Sequence, residues 1–248
     1  VRRETSLIDL IFPGDTNHHG TLFGGAALAH MDKVAFIAAT RHAHVDFVTA
    51  SCERIDFAAP AQLGEIVEVT GRIARVGRRS LTVEVDLVAE ALLTGERRLC
   101  TRGRFNMVSV DRDAAVPPLE EAAEEPQAVG VRMVELVFPD QASHNHILFG
   151  GHAMAQMGKA AFVAATRHCR RAVVLAASKR LDFTSPVKVG EIMEIEAAVT
   201  GTGTSSMQVT VDLWGENLKT GERRKAAEGV FVMVALDADQ RPTPVRPL

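Results

Sequence analysis

Asp32 is a carboxylate in an apolar stretch, with Met31 before it and Val34-Ala35-Phe36 after. Burying such a group unpaired is costly. A partly desolvated carboxylate is also a better general base or nucleophile. The competing reading is a solvated residue on the outer stripe of a helix, paired with Lys33. Asn17 carries an amide that donates and accepts, which suits it to position water or a carbonyl. Within Asp15-Thr16-Asn17 it equally suits a turn. Gly24-Gly25, and Gly150-Gly151 further on, stand where a helix begins. Unpaired N–H groups there, aided by the helix dipole, would stabilise a developing oxyanion, and glycine would let the chain turn tightly into the helix. Gly77-Arg78-Arg79-Ser80 reads as a turn before a strand. Its arginines would either clamp phosphates or stand solvated.

Histidine clusters as His18, His19, His30, His42 and His44, then His144, His146, His152 and His168. The spacing fits no standard zinc pattern, and neither cysteine nor carboxylate assists His144-Asn145-His146. No metal is expected. His42 and His168 fall near helix C-termini, where the dipole favours them.

The elements that must position these groups occur twice. Phe12-Pro13 recurs as Phe138-Pro139, an offset of 126 residues. The same offset carries Leu22-Phe23-Gly24-Gly25 onto Leu148-Phe149-Gly150-Gly151. It carries Ala38-Ala39-Thr40-Arg41-His42 onto Ala164-Ala165-Thr166-Arg167-His168, and Arg54, Asp56-Phe57 and Pro60 onto Arg180, Asp182-Phe183 and Pro186. Such self-similarity marks two copies of one domain. We expect a first domain at 1–111, an exposed linker rich in proline and glutamate at 112–130, and a second domain at 131–248. Within a copy, Leu28, Met31, Ala35, Phe36 and Ala39 recur at helical steps over 25–43. Strand-like runs follow at 46–57, 66–76, 81–88 and 98–110, with turns at Gly64 and Thr94-Gly95-Glu96. One long helix on an antiparallel sheet, repeated, is an α+β fold.

Composition narrows the field. The 248 residues carry a formal net charge of −3 and 5% aromatics with no tyrosine, so neither global attraction to nucleic acid nor a base-stacking platform is expected. Three widely spaced cysteines make no disulfide framework. No apolar run is long enough for a bilayer, and the opening residues show no signal-peptide pattern. The expected location is the cytoplasm, without a membrane partner.

Pro13-Gly14-Asp15-Thr16-Asn17-His18-His19-Gly20-Thr21-Leu22-Phe23-Gly24-Gly25, with His30-Met31-Asp32 in the helix, resembles the hot-dog acyl-CoA thioesterases. It is similar in particular to the tandem, brain-type cytosolic acyl-CoA hydrolases and their short bacterial relatives. Val76-Gly77-Arg78-Arg79-Ser80 also fits that family. The resemblance implies a double hot-dog with sheets edge to edge and sites at the interface of two central helices. There a helix carboxylate of one copy, Asp32, works with the loop residue of the other. Backbone N–H groups near Gly24, Gly25, Gly150 and Gly151 take the oxyanion, and Gly77, Arg78, Arg79 and Ser80 meet the CoA phosphates. The reaction needs no cofactor, CoA being part of substrate and product.

The second copy departs from the motif. The offset places Asn17 on Ser143 and Asp32 on Gly158. Asp32 would therefore work with Ser143, and a site built on Asn17 and Gly158 would be dead. One working site per chain is the expectation. The alternatives are a non-catalytic acyl-CoA-binding or regulatory protein and, more remotely, a hot-dog hydroxyacyl-thioester dehydratase. The family's threefold packing implies a homotrimer of double hot-dogs.

Overall fold

The computed structural model describes residues 4–53, 55–119 and 130–248. Arg54 and the acidic centre of the expected linker, 120–129, lie outside the described residues. Two compact units divide the chain, one built on each repeat. The short turn 218–221 groups with the first unit and 91–96 with the second.

In the first unit the order is β1 (Glu4–Leu10), α1 (Gly24–Ala43), β2 (Phe47–Cys52), β3 (Asp56–Phe57), β4 (Ile66–Val76), β5 (Ser80–Glu90) and β6 (Arg97–Ser109). The sheet runs β1-β4-β5-β6-β2, antiparallel throughout, with β3 also paired to β6. The single strand expected at 46–57 is thus two. A register shift between Thr49 and Ser51 interrupts the β2–β6 ladder, as a bulge does. The second unit repeats the plan with β7 (Val131–Leu136), α2 (Gly150–Cys169), β8 (Ala172–Phe183), β9 (Ile192–Thr202), β10 (Ser206–Glu216) and β11 (Arg223–Leu236), in the order β7-β9-β10-β11-β8. The fold is α+β, two hot-dog repeats, each a long helix on an antiparallel sheet. Among the described residues no helix is long and apolar enough to cross a membrane.

The helix is positioned by one apolar face. Ala27, Met31, Val34, Ala35 and Ala38 are buried, at the three- and four-residue steps that place them on one side. They pack on Val67 and Val69 of β4, the alternate residues Leu81, Val83, Val85 and Leu87 of β5, and Phe105 and Met107 of β6. Gly71 permits a close approach, since a Cβ there would stand 2.7 Å from Val34 Cγ1. Helix α1 ends at His44, whose φ of 54° is left-handed and whose N–H donates to the Thr40 carbonyl at 2.8 Å.

The opposite face of the first sheet carries charge rather than core. Arg102 pairs with Asp86, Arg72 with Glu4 and Asp86, and Arg104 with Glu84. Hydrogen bonding to Arg102 holds the Asp86 carboxyl below its ordinary range.

The stretch expected to be an exposed linker from residue 112 requires one correction. Val116 is only 8% exposed and belongs to the core of the first unit. An apolar side chain next to Pro117-Pro118 is free to turn inward, because the prolines stiffen the chain without asking for N–H partners.

Candidate active site

The loop that leads into α1 is tied down by its own backbone. Leu22 N–H donates to Ala61 O at 2.8 Å, Leu63 N–H to Gly20 O at 2.9 Å, and Phe23 N–H to Asp15 O at 2.8 Å. Gly20 takes a left-handed φ of 74°. Asn17 organises this loop. Its Oδ1 accepts from the N–H of His19 at 2.9 Å and of Thr21 at 3.3 Å, while Nδ2 donates to Thr21 Oγ1 at 2.9 Å. Nδ2 keeps a second N–H, and Asn17 lines a cavity of about 300 Å³ together with Thr21, Gly24, Phe57, Cys100 and Thr101. Asn17 thus shapes the turn, as one sequence reading had it, and also lines the cavity. Burial pushes the Cys100 thiol above its ordinary value, so this sulfur is a poor nucleophile.

Helix α1 starts at Gly24 with no side-chain cap. The N–H groups of a helix's first turn have no partner within the helix, so those of Gly24 and Gly25 are oriented for an anion. The expectation that these glycines supply a tight turn is not met, since neither has a positive φ. A Cβ on Gly25 would come within 2.6 Å of the Phe23 ring, and one on Gly151 within 2.9 Å of the Phe149 ring, both of them exposed side chains.

Asp32 sits two turns into α1, half-buried. Its Oδ1 accepts a hydrogen bond of 2.5 Å from Thr49 Oγ1 on β2. The sequence alternative, pairing with Lys33, is replaced by this contact. Asp32 is absent from the lining of the cavity that holds Asn17 and Gly24. Within the first unit the structure thus forms two groupings, Asn17 with Gly24 and Asp32 with Thr49, and does not merge them.

Thr49 escaped the sequence reading because it lies 17 residues from Asp32 in an unremarkable strand. The repeat offset held the clue. Asn17, Asp32 and Thr49 fall on Ser143, Gly158 and Leu175, so the carboxylate and its hydroxyl partner are lost together in the second copy, while the amide gives way to a smaller hydroxyl.

In the second unit, Ser143 N–H donates to Ile147 O at 2.8 Å and His146 N–H to Ser143 O at 3.0 Å. These match Asn17 N–H to Thr21 O at 2.9 Å and Gly20 N–H to Asn17 O at 3.0 Å. The loop backbone is therefore retained without the amide. Helix α2 contains no Asp or Glu. At its N-terminus a cavity of about 390 Å³ is lined by Ile147, Gly150, Phe183, Thr184, Ser185 and Leu213.

Gly77, Arg78, Arg79 and Ser80 form the β4–β5 turn. Gly77 N–H donates to Ser80 O at 2.7 Å, and a Cβ on Gly77 would press on Ser80 Oγ at 2.8 Å. Arg78 is exposed and Arg79 half-buried. Elsewhere in this sheet Arg72, Arg97, Arg98, Arg102 and Arg104 are committed to carboxylates. Arg78 and Arg79 form no ion pair among the described residues. The His18 and His19 rings lie 3.8 Å apart. His42 and His168 bond through Nε2 to the carbonyls of Pro117 and Arg246, at 2.8 and 2.9 Å.

A long helix on an antiparallel sheet, duplicated, is the hot-dog arrangement, and in the first copy the helix carries Asp32. The family profile of the thioesterase superfamily matches residues 19–95 and 145–222, one span in each repeat, and the chain belongs to that superfamily. It is similar over 98% of its length to the crystal structure of an acyl-CoA hydrolase from Agrobacterium tumefaciens, with 55% identity, 97% of that chain covered and a TM-score of 0.88. It is 24% identical, over 94% of its length and 74% of the relative's, to a cytosolic acyl coenzyme A thioester hydrolase of Rattus norvegicus. An uncharacterized acyl-CoA thioester hydrolase of Bacillus subtilis is 41% identical across 44% of this chain and 63% of its own length.

Proposed function

We propose that this protein hydrolyses acyl-CoA thioesters, fatty acyl-CoA among them, to free acid and CoA. The observation that carries this is the Asp32 carboxylate, set among apolar neighbours on α1 and held by Thr49. The likeness to the Agrobacterium tumefaciens acyl-CoA hydrolase along nearly the whole chain supports the reaction class.

In the proposed reaction Asp32 either removes a proton from water or attacks the thioester carbonyl directly. In both routes the carbonyl oxygen gains negative charge, which amides near Gly24-Gly25 or Gly150-Gly151 would stabilise. With Asp32 as base, water adds to the carbonyl, the C–S bond breaks, CoA leaves as its thiol with the proton that Asp32 took, and the acid carries the solvent oxygen. With Asp32 as nucleophile, the C–S bond breaks to give CoA thiolate and an acyl–Asp32 anhydride, which water hydrolyses to acid and free carboxylate. Single turnover in ¹⁸O-water puts label in the Asp32 side chain only by direct attack followed by hydrolysis at the Asp32 carbonyl carbon.

The second repeat would be catalytically silent, with Gly158 and Leu175 where Asp32 and Thr49 stand in the first. Ser143 is the loop residue proposed to serve Asp32, and Asn17 belongs to the silent combination. Arg78 and Arg79, with the Gly77–Ser80 turn, are proposed to meet the CoA phosphates. We further propose a cytoplasmic protein that assembles as a homotrimer of about 80 kDa. Light scattering at micromolar concentration tests the assembly, and a monomer or dimer would overturn it.

The primary test is thiol release from a panel of acyl-CoAs. CoA released in proportion to enzyme supports hydrolysis. Binding without release would instead favour the regulatory reading, and loss of water from a hydroxyacyl-CoA the dehydratase.

A further inference from the structure

The Arg78–Arg79 turn is gripped by a segment that catalysis alone does not call for. After β6 the chain does not leave the unit. Ser109 N–H donates to Arg79 O at 2.9 Å, and Val116 N–H donates to Arg78 O at 3.0 Å. The carbonyls of two successive arginines are thus held by two ends of one segment. Val110 N–H donates to Asp46 O at 2.9 Å, and within the segment Asp113 N–H turns back to Asp111 Oδ1 at 2.9 Å. The Val116 side chain is buried in the core under α1.

The last fastening is His42. It is 8% exposed near the C-terminus of α1, and its Nε2 lies 2.8 Å from Pro117 O. A carbonyl only accepts, so Nε2 carries the proton. Losing this donor would remove the contact that holds the end of the segment to α1.

The second repeat has the same plan over a longer path. Ala235 N–H donates to Ser205 O and Val245 N–H to Thr204 O, both at 2.9 Å, and His168 holds Arg246 O. Its return to the turn is three residues longer, and its turn, Gly203-Thr204-Ser205-Ser206, has no arginine. The shorter strap and the buried histidine accompany the turn that has charges to aim.

We propose that residues 110–117 form a strap that sets the backbone of Arg78 and Arg79 for the CoA phosphates, with His42 as the positioning residue that fastens it. This rests on the reading of the two arginines given above. Fixing the backbone leaves only side-chain freedom to be lost when phosphate binds, and pre-organisation of this kind appears in affinity rather than in the chemical step.

The test uses the full chain and two substrates with the same acyl group, the acyl-CoA and its N-acetylcysteamine thioester, which has no nucleotide phosphates. For His42→Ala, KM for the acyl-CoA should rise roughly tenfold, the equivalent of one charged hydrogen bond. The kcat, and kcat/KM for the N-acetylcysteamine thioester, should stay unchanged. His42→Gln keeps a donor and should restore KM. Val116→Ala loosens the strap with His42 in place and should raise KM in the same selective way, which preserves the test if His42→Ala does not fold. In an Arg78→Gln/Arg79→Gln background, His42→Ala should add nothing to KM. Equal damage to both substrates would reduce the strap to a structural element and overturn the proposal. An unchanged KM in Arg78→Gln/Arg79→Gln would overturn the phosphate reading itself. A rise there with none in His42→Ala and Val116→Ala would overturn the strap alone.

Discussion

Replacing Asp32 with asparagine should abolish most turnover while leaving the fold intact. The side chain is half-buried and accepts a hydrogen bond from the hydroxyl of Thr49. An asparagine in the same rotamer still offers an oxygen to Thr49, so the loss in stability should be about 1 kcal/mol or less. For a chain of this size that is a shift of about 2–4 °C in Tm. The chemical loss is much larger. An amide neither takes a proton from water nor attacks a thioester, and positioned acid–base groups typically contribute about 10²–10⁴-fold. At about 1.36 kcal/mol per decade this corresponds to roughly 3–5 kcal/mol of transition-state stabilisation. Thiol release under saturating acyl-CoA should therefore show kcat down by that factor with KM nearly unchanged. Thr49→Val, which leaves the carboxylate but removes its orienting donor, should lose roughly tenfold in kcat. Wild-type kcat in Asp32→Asn, with a normal melting curve, would remove Asp32 from the mechanism. A Thr49→Val variant as damaged as Asp32→Asn would mean the hydroxyl itself takes part in the chemistry.

Ser143→Ala should lower kcat by roughly tenfold if its hydroxyl orients water or the carbonyl, and leave Tm unchanged; steady-state kinetics beside a melting curve decide it. Gly25→Ala places a methyl within 2.6 Å of the Phe23 ring, but that ring is exposed and can swing aside, so stability should change by no more than about 1 kcal/mol, read by denaturant titration. Stability should also fall with acid through Asp86. Its carboxyl is held below the ordinary value by Arg102, so the contribution is full above the unfolded-state pKa, about 3.9, and is lost as pH drops towards the lower folded value. Tm should therefore decline less steeply below about pH 4 in Asp86→Asn than in the wild type, and parallel curves would show that the pair contributes nothing.

Much of this molecule is legible from local pattern. The 126-residue offset, the helical steps of Met31, Ala35 and Ala39, and the alternation in Leu81–Leu87 read directly as two helix-on-sheet units. These signals survive because side-chain direction along a helix or strand repeats with a fixed period, so burial on one face leaves a trace in sequence order. Asp32 stood out differently, as a carboxylate in an apolar stretch within a motif that resembles a known family. What holds Asp32 was not visible. Thr49 reaches it from another strand, and which strand residue meets which helix residue depends on register and packing, which no short-range period encodes. The same holds for Val116, read as linker and found in the core, and for His42, whose partner Pro117 lies 75 residues away. Gly25 shows the subtler case, because its position was legible and its reason was not. The backbone there is ordinary, and the ring over its α-carbon is that of Phe23, two residues earlier, in a rotamer that residue order does not announce. Residue types announced where chemistry could occur. Contacts across elements, which form only when apolar faces close on each other, decided how those residues are held.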